Sequence, residues 1–392
     1  VMLYPGWTLV VKFGGTSVRD DFRDAVSFVS RLSDENEVIV VVSALKGVTD
    51  ALIDLASGKG NLAEIVSFHI DFIRRHNLPL EPFRGVFEEL KDVLGRRDEF
   101  PSEEAFRDQV LSFGEWISGI AFTEALKREG ISVELFEPWE IIATTGDFGN
   151  ARVNIVETSR RVFPLKRALR EGKIAVVPGF VGGFKGYRTT LGRNGSDYTA
   201  TVLGKALDAK AVLIMREVDG IYTADPGRVP SARLIPFLSY DKLYLAAKAG
   251  MRAIHPGAVD VAKGTPLIFG RTRDWNVGTV VGYESSSLPI IAHRVVGDTA
   301  EITVIGTTEV PGFETETGSE RGIPWARLRV PTARLGSTLN RIHWLIVERN
   351  TPRPRTLSLL SAPMGEGCLT AFRGDVDEGA GSRNGGQLWA RI

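Results

Sequence analysis

Cysteine is nearly missing from this chain. Its 392 residues hold one, Cys368, so neither an intrachain disulfide nor a cysteine-rich metal site can form. Histidine is scarce, with five residues and no metal-ligand spacing, so no protein-held metal is expected. Net charge is absent as well. The 48 basic and 48 acidic side chains sum to +0, which argues against a nucleic-acid partner or a polybasic membrane surface. Small anions bound by local charge stay open. No apolar run approaches the ~20 residues needed to span a bilayer. The opening residues, Val1 and Met2, are not followed by a cationic and apolar leader, so a cytoplasmic enzyme without a membrane partner is expected. Neither a P-loop Gly-Lys-Ser/Thr nor a protein-kinase His-Arg-Asp occurs.

What is present is a 43% hydrophobic, 24% charged chain, long enough for more than one domain. Its organising stretch is Thr8-Leu-Val-Val-Lys-Phe-Gly-Gly-Thr-Ser-Val18. Thr8 to Val11 read as a strand buried on both faces. Gly14 and Gly15 allow a sharp turn and close approach to a ligand. Thr16 and Ser17 add hydroxyls where a following helix leaves its first N–H groups unpaired, an arrangement that favours anions. Lys12 supplies a mobile point charge at the strand end. On these residues alone, phosphate binding and an ordinary turn with an exposed lysine are equally good readings.

The rest of the chain repeats the pattern. Asp20 to Leu32 has helical apolar spacing, and Val38 to Val42 is a second buried strand. Ser43-Ala-Leu-Lys-Gly-Val-Thr-Asp50 then leads into a helix at Ala51 to Ala56. Strand, loop and helix, twice over, predict an α/β fold with a mainly parallel sheet between helical layers. Ligands in such sheets sit beyond the carboxyl ends of the strands. Residues 60–100 read as helical without chemistry. Ser102 is positioned to cap a helix running to about Glu129, with Phe106, Val110, Phe113 and Ile117 as its stripe and Glu115 on its flank. Strands follow at 131–136, 174–177, 211–215 and 266–270, and Gly278 to Gly282 closes the pattern. Ser196 is positioned to cap a helix to Leu207, with Asp197 in its first turn.

Lys12-Phe-Gly-Gly-Thr-Ser-Val18 resembles the opening signature of the aspartate kinases, which have the amino-acid-kinase fold. Gly192-Arg-Asn-Gly-Ser-Asp-Tyr-Thr-Ala200 resembles that family's Gly-Arg-Gly-Gly-Ser-Asp element, with Asn194 replacing a glycine. Val218-Asp-Gly-Ile-Tyr-Thr-Ala-Asp-Pro226 resembles its nucleotide segment. The three occur in the family's order between residue 8 and about residue 285. Departures are Arg216-Glu217 in place of Thr-Asp, an arginine displaced to Arg228 behind Gly227, and Arg252 in place of a lysine.

The resemblance implies transfer of the ATP γ-phosphoryl to the side-chain carboxylate of L-aspartate, with Mg²⁺ on the phosphates. It implies Lys12 and Asp197 as catalytic residues. Ser43, Thr49, Glu115, Arg193 and Ser196 would bind aspartate. Lys12, Gly14, Gly15, Thr16, Ser17, Glu217, Tyr222, Asp225, Arg228 and Arg252 would hold the nucleotide. Another kinase of the superfamily, such as a glutamate kinase, and a non-catalytic amino-acid-binding relative are the alternatives. The expected division is a kinase domain over 1–295 and an incomplete or divergent ACT-like α+β region over 296–392.

In that second region Ile302-Thr-Val-Ile-Gly306 resembles the first strand of an ACT module, which in the family binds an end-product amino acid and forms a dimer contact. A homodimer is therefore compatible with the resemblance. Residues 313–322 lack the helical stripe that should follow, and Pro311, Pro324, Pro331, Pro352 and Pro354 interrupt most candidate helices. The expectation is a poorly packed tail and weak or absent inhibition by threonine or lysine.

Overall fold

The computed structural model describes residues 5–349. Cys368, the Thr351-Pro-Arg-Pro-Arg355 stretch and the rest of the tail lie outside the described residues. Fourteen strands are found among those described. They are β1 (Thr8–Phe13), β2 (Glu37–Val42), β3 (Val133–Leu135), β4 (Ile174–Pro178), β5 (Val181–Phe184), β6 (Tyr187–Thr190), β7 (Ala211–Arg216), β8 (Phe237–Ser239), β9 (Leu267–Arg271), β10 (Val277–Gly282), β11 (Ile290–Val296), β12 (Thr299–Ile305), β13 (Glu316–Glu320) and β14 (Ile323–Pro331).

Eight of them form one sheet in the order β3-β4-β2-β1-β7-β9-β10-β8. Every neighbouring pair is parallel except β9 and β10. The mainly parallel sheet expected from the sequence is thus present. β1 lies inside it between β2 and β7, which is why its residues from Leu9 onward are buried and need apolar side chains on both faces. Leu9, Val11 and Phe13 pack on one face with the helices Phe22–Ser33 and Glu103–Arg128. Val10, Ile39, Val41, Val212 and Ile214 pack on the other with the helix Gly195–Ala206.

The long helix begins at Ser102, whose side chain accepts from the Ala105 N–H, and ends at Arg128, as its cap and stripe predict. The helix at Gly195 differs from expectation. Asn194, in the left-handed region at φ +57°, is its N-cap, and Ser196 lies within its first turn. Residues 181–190, to which the sequence assigned no element, form the hairpin β5–β6. Its first strand, Val-Gly-Gly-Phe, carries too few β-branched residues to stand out in the sequence.

The last four strands form a separate antiparallel sheet, β11-β12-β14-β13. Ile291, Ala300, Ile302, Val304, Ala326 and Leu328 cover the helix Leu335–His343 through Leu335, Leu339 and Ile342. The expected poor packing of the tail is corrected as far as Arg349. Residues 313–322 lack a helical stripe because 316–320 are an edge strand, and Pro324 and Pro331 lie at the two ends of β14, not inside a helix. No helix among the described residues is long and apolar enough to cross a membrane.

Candidate active site

The site is built where β1, β2 and β7 end. Lys12 is the next-to-last residue of β1 and is almost wholly buried, a position a lysine tolerates only with a partner. Its Nζ lies 2.7 Å from Asp197 Oδ1. Asp197 is fully buried in the first turn of the helix Gly195–Ala206. That turn reaches the sheet edge because Gly179, just past β4, has no side chain: a Cβ there would stand 2.5 Å from the Ser196 Cβ. Burial holds the Lys12 ammonium below the usual lysine range; Asp197 opposes the shift and Arg216 adds to it.

Arg216 is a second cation on the same carboxylate. β7 runs parallel beside β1 with Ile214 opposite Lys12, so Arg216, two residues on, projects from the same face. One terminal nitrogen lies 2.6 Å from Asp197 Oδ2, and the other donates to the Arg252 carbonyl at 3.1 Å. Its Nε is buried and has no partner among the described residues. The sequence registered Arg216 only as a departure. The parallel register of two neighbouring buried strands was the signal that would have paired it with Lys12.

Glu115 approaches the same edge from the opposite layer. Gly114 lets the long helix touch the loop after β2, since a Cβ there would lie 2.9 Å from the Ala44 Cβ. Gly15 meets that loop from the β1 side, where a Cβ would stand 2.6 Å from the Ala44 carbonyl oxygen. Its backbone carbonyl accepts from the Lys46 N–H. The Glu115 carboxylate accepts from the Ala44 N–H, while its Oε2 is buried without a partner among the described residues. Burial pushes the carboxyl up to about 8, against the pull of the Ala44 N–H and Lys12. Ser43 is half-buried with its N–H on the Phe13 carbonyl, and Thr49 is half-buried in the first turn of the helix Val48–Ala56.

The other expected residues fall into two groups. Gly14 donates to the Met215 carbonyl, and a Cβ on it would stand 3.7 Å from Lys12 Nζ, so the space beside the ammonium is kept open. Glu217 is exposed, and its charge reaches Lys12. Thr16 is half-buried; Ser17 is fully buried and accepts from the Thr272 hydroxyl at 2.7 Å. Arg193 is exposed with no pairing side chain among the described residues, on the loop between Gly192 (φ +74°) and Asn194. Tyr222, Asp225 and Arg228 engage their own segment. Tyr222 donates to Asp219, Asp225 accepts from the Gly227 N–H, and Arg228 stands 3.9 Å from Asp225. The Arg252 side chain is exposed.

Asp108 was missed. It is fully buried and accepts from the Thr190 N–H, the Thr190 hydroxyl and the Gly149 N–H, fastening the hairpin β5–β6 beside the Arg193 loop. Asp108 precedes Glu115 by seven residues, two turns on one helix face, and that spacing was readable. His255 was missed too; its ring stacks on Tyr198, directly after Asp197, at 5.1 Å and 4°. No three His, Cys, Asp or Glu side chains converge as a metal site among the described residues.

A family model described as "Amino acid kinase family" matches residues 7–269. The chain is similar to lysine-sensitive aspartokinase 3 of Escherichia coli (strain K12), 32% identical over 296 residues, covering 72% of this chain and 66% of that protein. It is similar to an aspartokinase of Thermus thermophilus, 32% identical over 328 residues, covering 80% of this chain and 70% of that protein. The crystal structure of E. coli aspartokinase III in complex with aspartate and ADP, in the R-state, superposes with a TM-score of 0.76 at 22% identity. The match covers 86% of this chain and 99% of that one, and it speaks for the fold. The chain spans about two thirds of the length of the first curated relatives it matches, 66% and 65%.

Proposed function

The chain belongs to the amino acid kinase family, and on that premise we propose that it is an aspartate kinase, transferring the γ-phosphoryl of ATP to the β-carboxylate of L-aspartate. The observation that carries the reading is a buried cation and a buried carboxyl that meet at one sheet edge. A cation held by Asp197 stands on one side, and a Glu115 oxygen without a partner among the described residues stands on the other. The first suits a phosphate and the second an amine. Relatives named aspartokinase, and a like-folded aspartokinase crystallised with aspartate and ADP, favour this choice over other kinases of the family.

A carboxylate acceptor is already ionised at neutral pH, so no general base is required. The chemistry is the alignment and neutralisation of two anions. Lys12 would stabilise the transferring phosphoryl, and Asp197 would hold Lys12 in place. Gly14 keeps room beside the ammonium, and the backbone of Gly14, Gly15 and Thr16 would line the phosphates. Ser17, locked on Thr272, would support that turn from beneath. Glu217, Tyr222, Asp225, Arg228 and Arg252 would surround the rest of the nucleotide. Glu115 would take the aspartate amine, Arg193 the α-carboxylate through two parallel donors, and Ser43, Thr49 and Ser196 the remaining polar atoms. Mg²⁺, when bound, would neutralise phosphate charge through largely water ligands, which fits a site without a carboxylate cluster among the described residues. The expected division into a kinase domain and a divergent ACT-like region fits the two sheets, and we propose a homodimer formed through the second.

The test is ADP release with Mg-ATP and L-aspartate, with hydroxylamine trapping of the acyl phosphate across aspartate, glutamate and carbamate. Trapping with aspartate alone is expected. Glutamate as the better acceptor would move the chain to another branch of the family, and binding without ADP release would make it an amino-acid-binding relative.

A further inference from the structure

Arg216 has no part in the function set out above, yet it sits at the centre of the site. Asp197 is fully buried, with Lys12 on one oxygen at 2.7 Å and Arg216 on the other at 2.6 Å. A lysine and aspartate alone would be a neutral pair. With Arg216 the cluster holds two cations and one anion, a net single positive charge in a place poorly reached by water. Such a charge is costly unless a further anion completes it. The arrangement does not supply that anion internally. Glu217 is exposed, and the Arg216 Nε is buried without a partner among the described residues. The guanidinium is fixed at its other terminal nitrogen by the Arg252 carbonyl, so it cannot swing away as a surface arginine would.

We propose that Arg216 is a positioning residue of the phosphoryl-transfer site. It clamps the second oxygen of Asp197 and leaves the Lys12–Asp197–Arg216 cluster with one unspent positive charge that the nucleotide phosphates complete. This rests on the kinase reading. The clamp does two things. It stops Asp197 from fully neutralising Lys12, so the ammonium keeps attraction for the incoming phosphoryl. It also sets the pH at which Lys12 loses its proton, because a like charge beside an ammonium favours the neutral amine. The charged groups acting on Lys12 are Asp197, Arg216 and Glu217, and Lys12 in turn acts on Glu115 across the edge. Of these, Arg216 alone adds positive charge.

The experiment compares the full chain with R216Q and R216K, following kcat from neutral to alkaline pH by ADP release. R216Q keeps a donor for Asp197 but removes the charge. Its alkaline limb is expected to move up by about one pH unit, with kcat reduced and the KM for ATP raised. R216K keeps the charge, so its limb is expected to stay where the parent's is. An unmoved limb in R216Q overturns the proposal, and so does an R216K limb that moves as R216Q's does. If R216Q does not fold, the position of the R216K limb decides alone. If the parent chain releases no ADP, the kinase reading has failed separately. The titration is then followed by carbon NMR of the Lys12 Cε, assigned with K12R, with the same expected order and the same overturning results.

Discussion

At the scale of single residues, the site depends on charges held where water cannot reach them. Lys12→Ala should leave the fold intact and reduce kcat by roughly a hundredfold or more, since one preorganised donor at a developing charge contributes about 3 kcal/mol. Near-normal turnover in that variant would reduce Lys12 to a structural ion pair. Arg193→Ala should raise the KM for aspartate by roughly ten- to a hundredfold, as loss of a charge-assisted bond of about 1.5–3 kcal/mol implies, and leave the KM for ATP nearly unchanged. A rise in the ATP constant instead would place Arg193 at the nucleotide. Glu115 adds a pH signature. Its carboxyl titrates at about 8, so below that pH the free protein presents a neutral acid to the substrate ammonium. Thus kcat/KM for aspartate should climb as pH rises through about 8, and E115Q should abolish that climb. The linkage to stability has the opposite sign. With a folded pKa above the unfolded value, the native chain binds more protons between about 4.5 and 8 and loses stability as pH rises through that window. E115Q should therefore unfold at a higher temperature than the parent at pH 8, which differential scanning calorimetry would show.

At the scale of elements, the central strands of the large sheet were legible because burial on both faces forces uninterrupted apolar runs such as Val38 to Val42, whereas the three-residue edge strand β8 was not read. The long helix was legible from its Ser102 cap and its stripe. The hairpin β5–β6 was not, because its first strand is half glycine and carries no pattern, and it is held instead by Asp108 from a distant helix. The candidate site was legible where it consists of motif residues. Its close approaches were not, since the need for Gly15 and Gly114 arises only when two loops and a helix meet at Ala44. Gly114→Ala should push that loop away and weaken aspartate binding more than ATP binding; equal loss of both would point to general unfolding. The helix Leu62–Arg75 contributes an acid weakness. His69, almost fully buried, has its imidazole pushed down to about 4 by burial, and His76 at the helix end is likewise lowered to about 4. The unfolded chain binds more protons between about 4 and 6.5, so both contribute stability that is complete above about 6.5 and is lost as pH falls through that window. His69→Gln should flatten the acid limb of the melting-temperature profile; an unchanged limb would show that other groups control it.

At the scale of the whole molecule, the two sheets are tied by more than the connecting chain. Arg321, in the turn between β13 and β14, bonds Asp260 and Asp241 and lies 3.5 Å over the Tyr244 ring, while Lys248 pairs with Glu320. Lys242 holds the connecting segment by donating to the Ser286 and Leu288 carbonyls. From the large-sheet side, Ala224 and Val229 enter the core of the second unit, the Thr223 hydroxyl bonds the buried His343, and the Ile291 N–H donates to the Thr223 carbonyl. Leu339→Ala should cost about 2–5 kcal/mol. Because it loosens the core holding Ala224 and Val229, it should also raise the KM for ATP through the Tyr222 segment; calorimetry with kinetics on the same sample would separate the two effects, and an unchanged ATP constant would uncouple them. The interleaving also bears on inheritance. A crossover between two related genes near residue 286 would look harmless along the chain, yet it would assemble the second unit's core from two parents. Residues 224 and 229 would come from one and Leu335, Leu339 and Ile342 from the other. A regulatory half exchanged as a cassette would arrive without part of its own interior, so the smallest piece that can change hands intact includes the stretch from Thr223 to Val229.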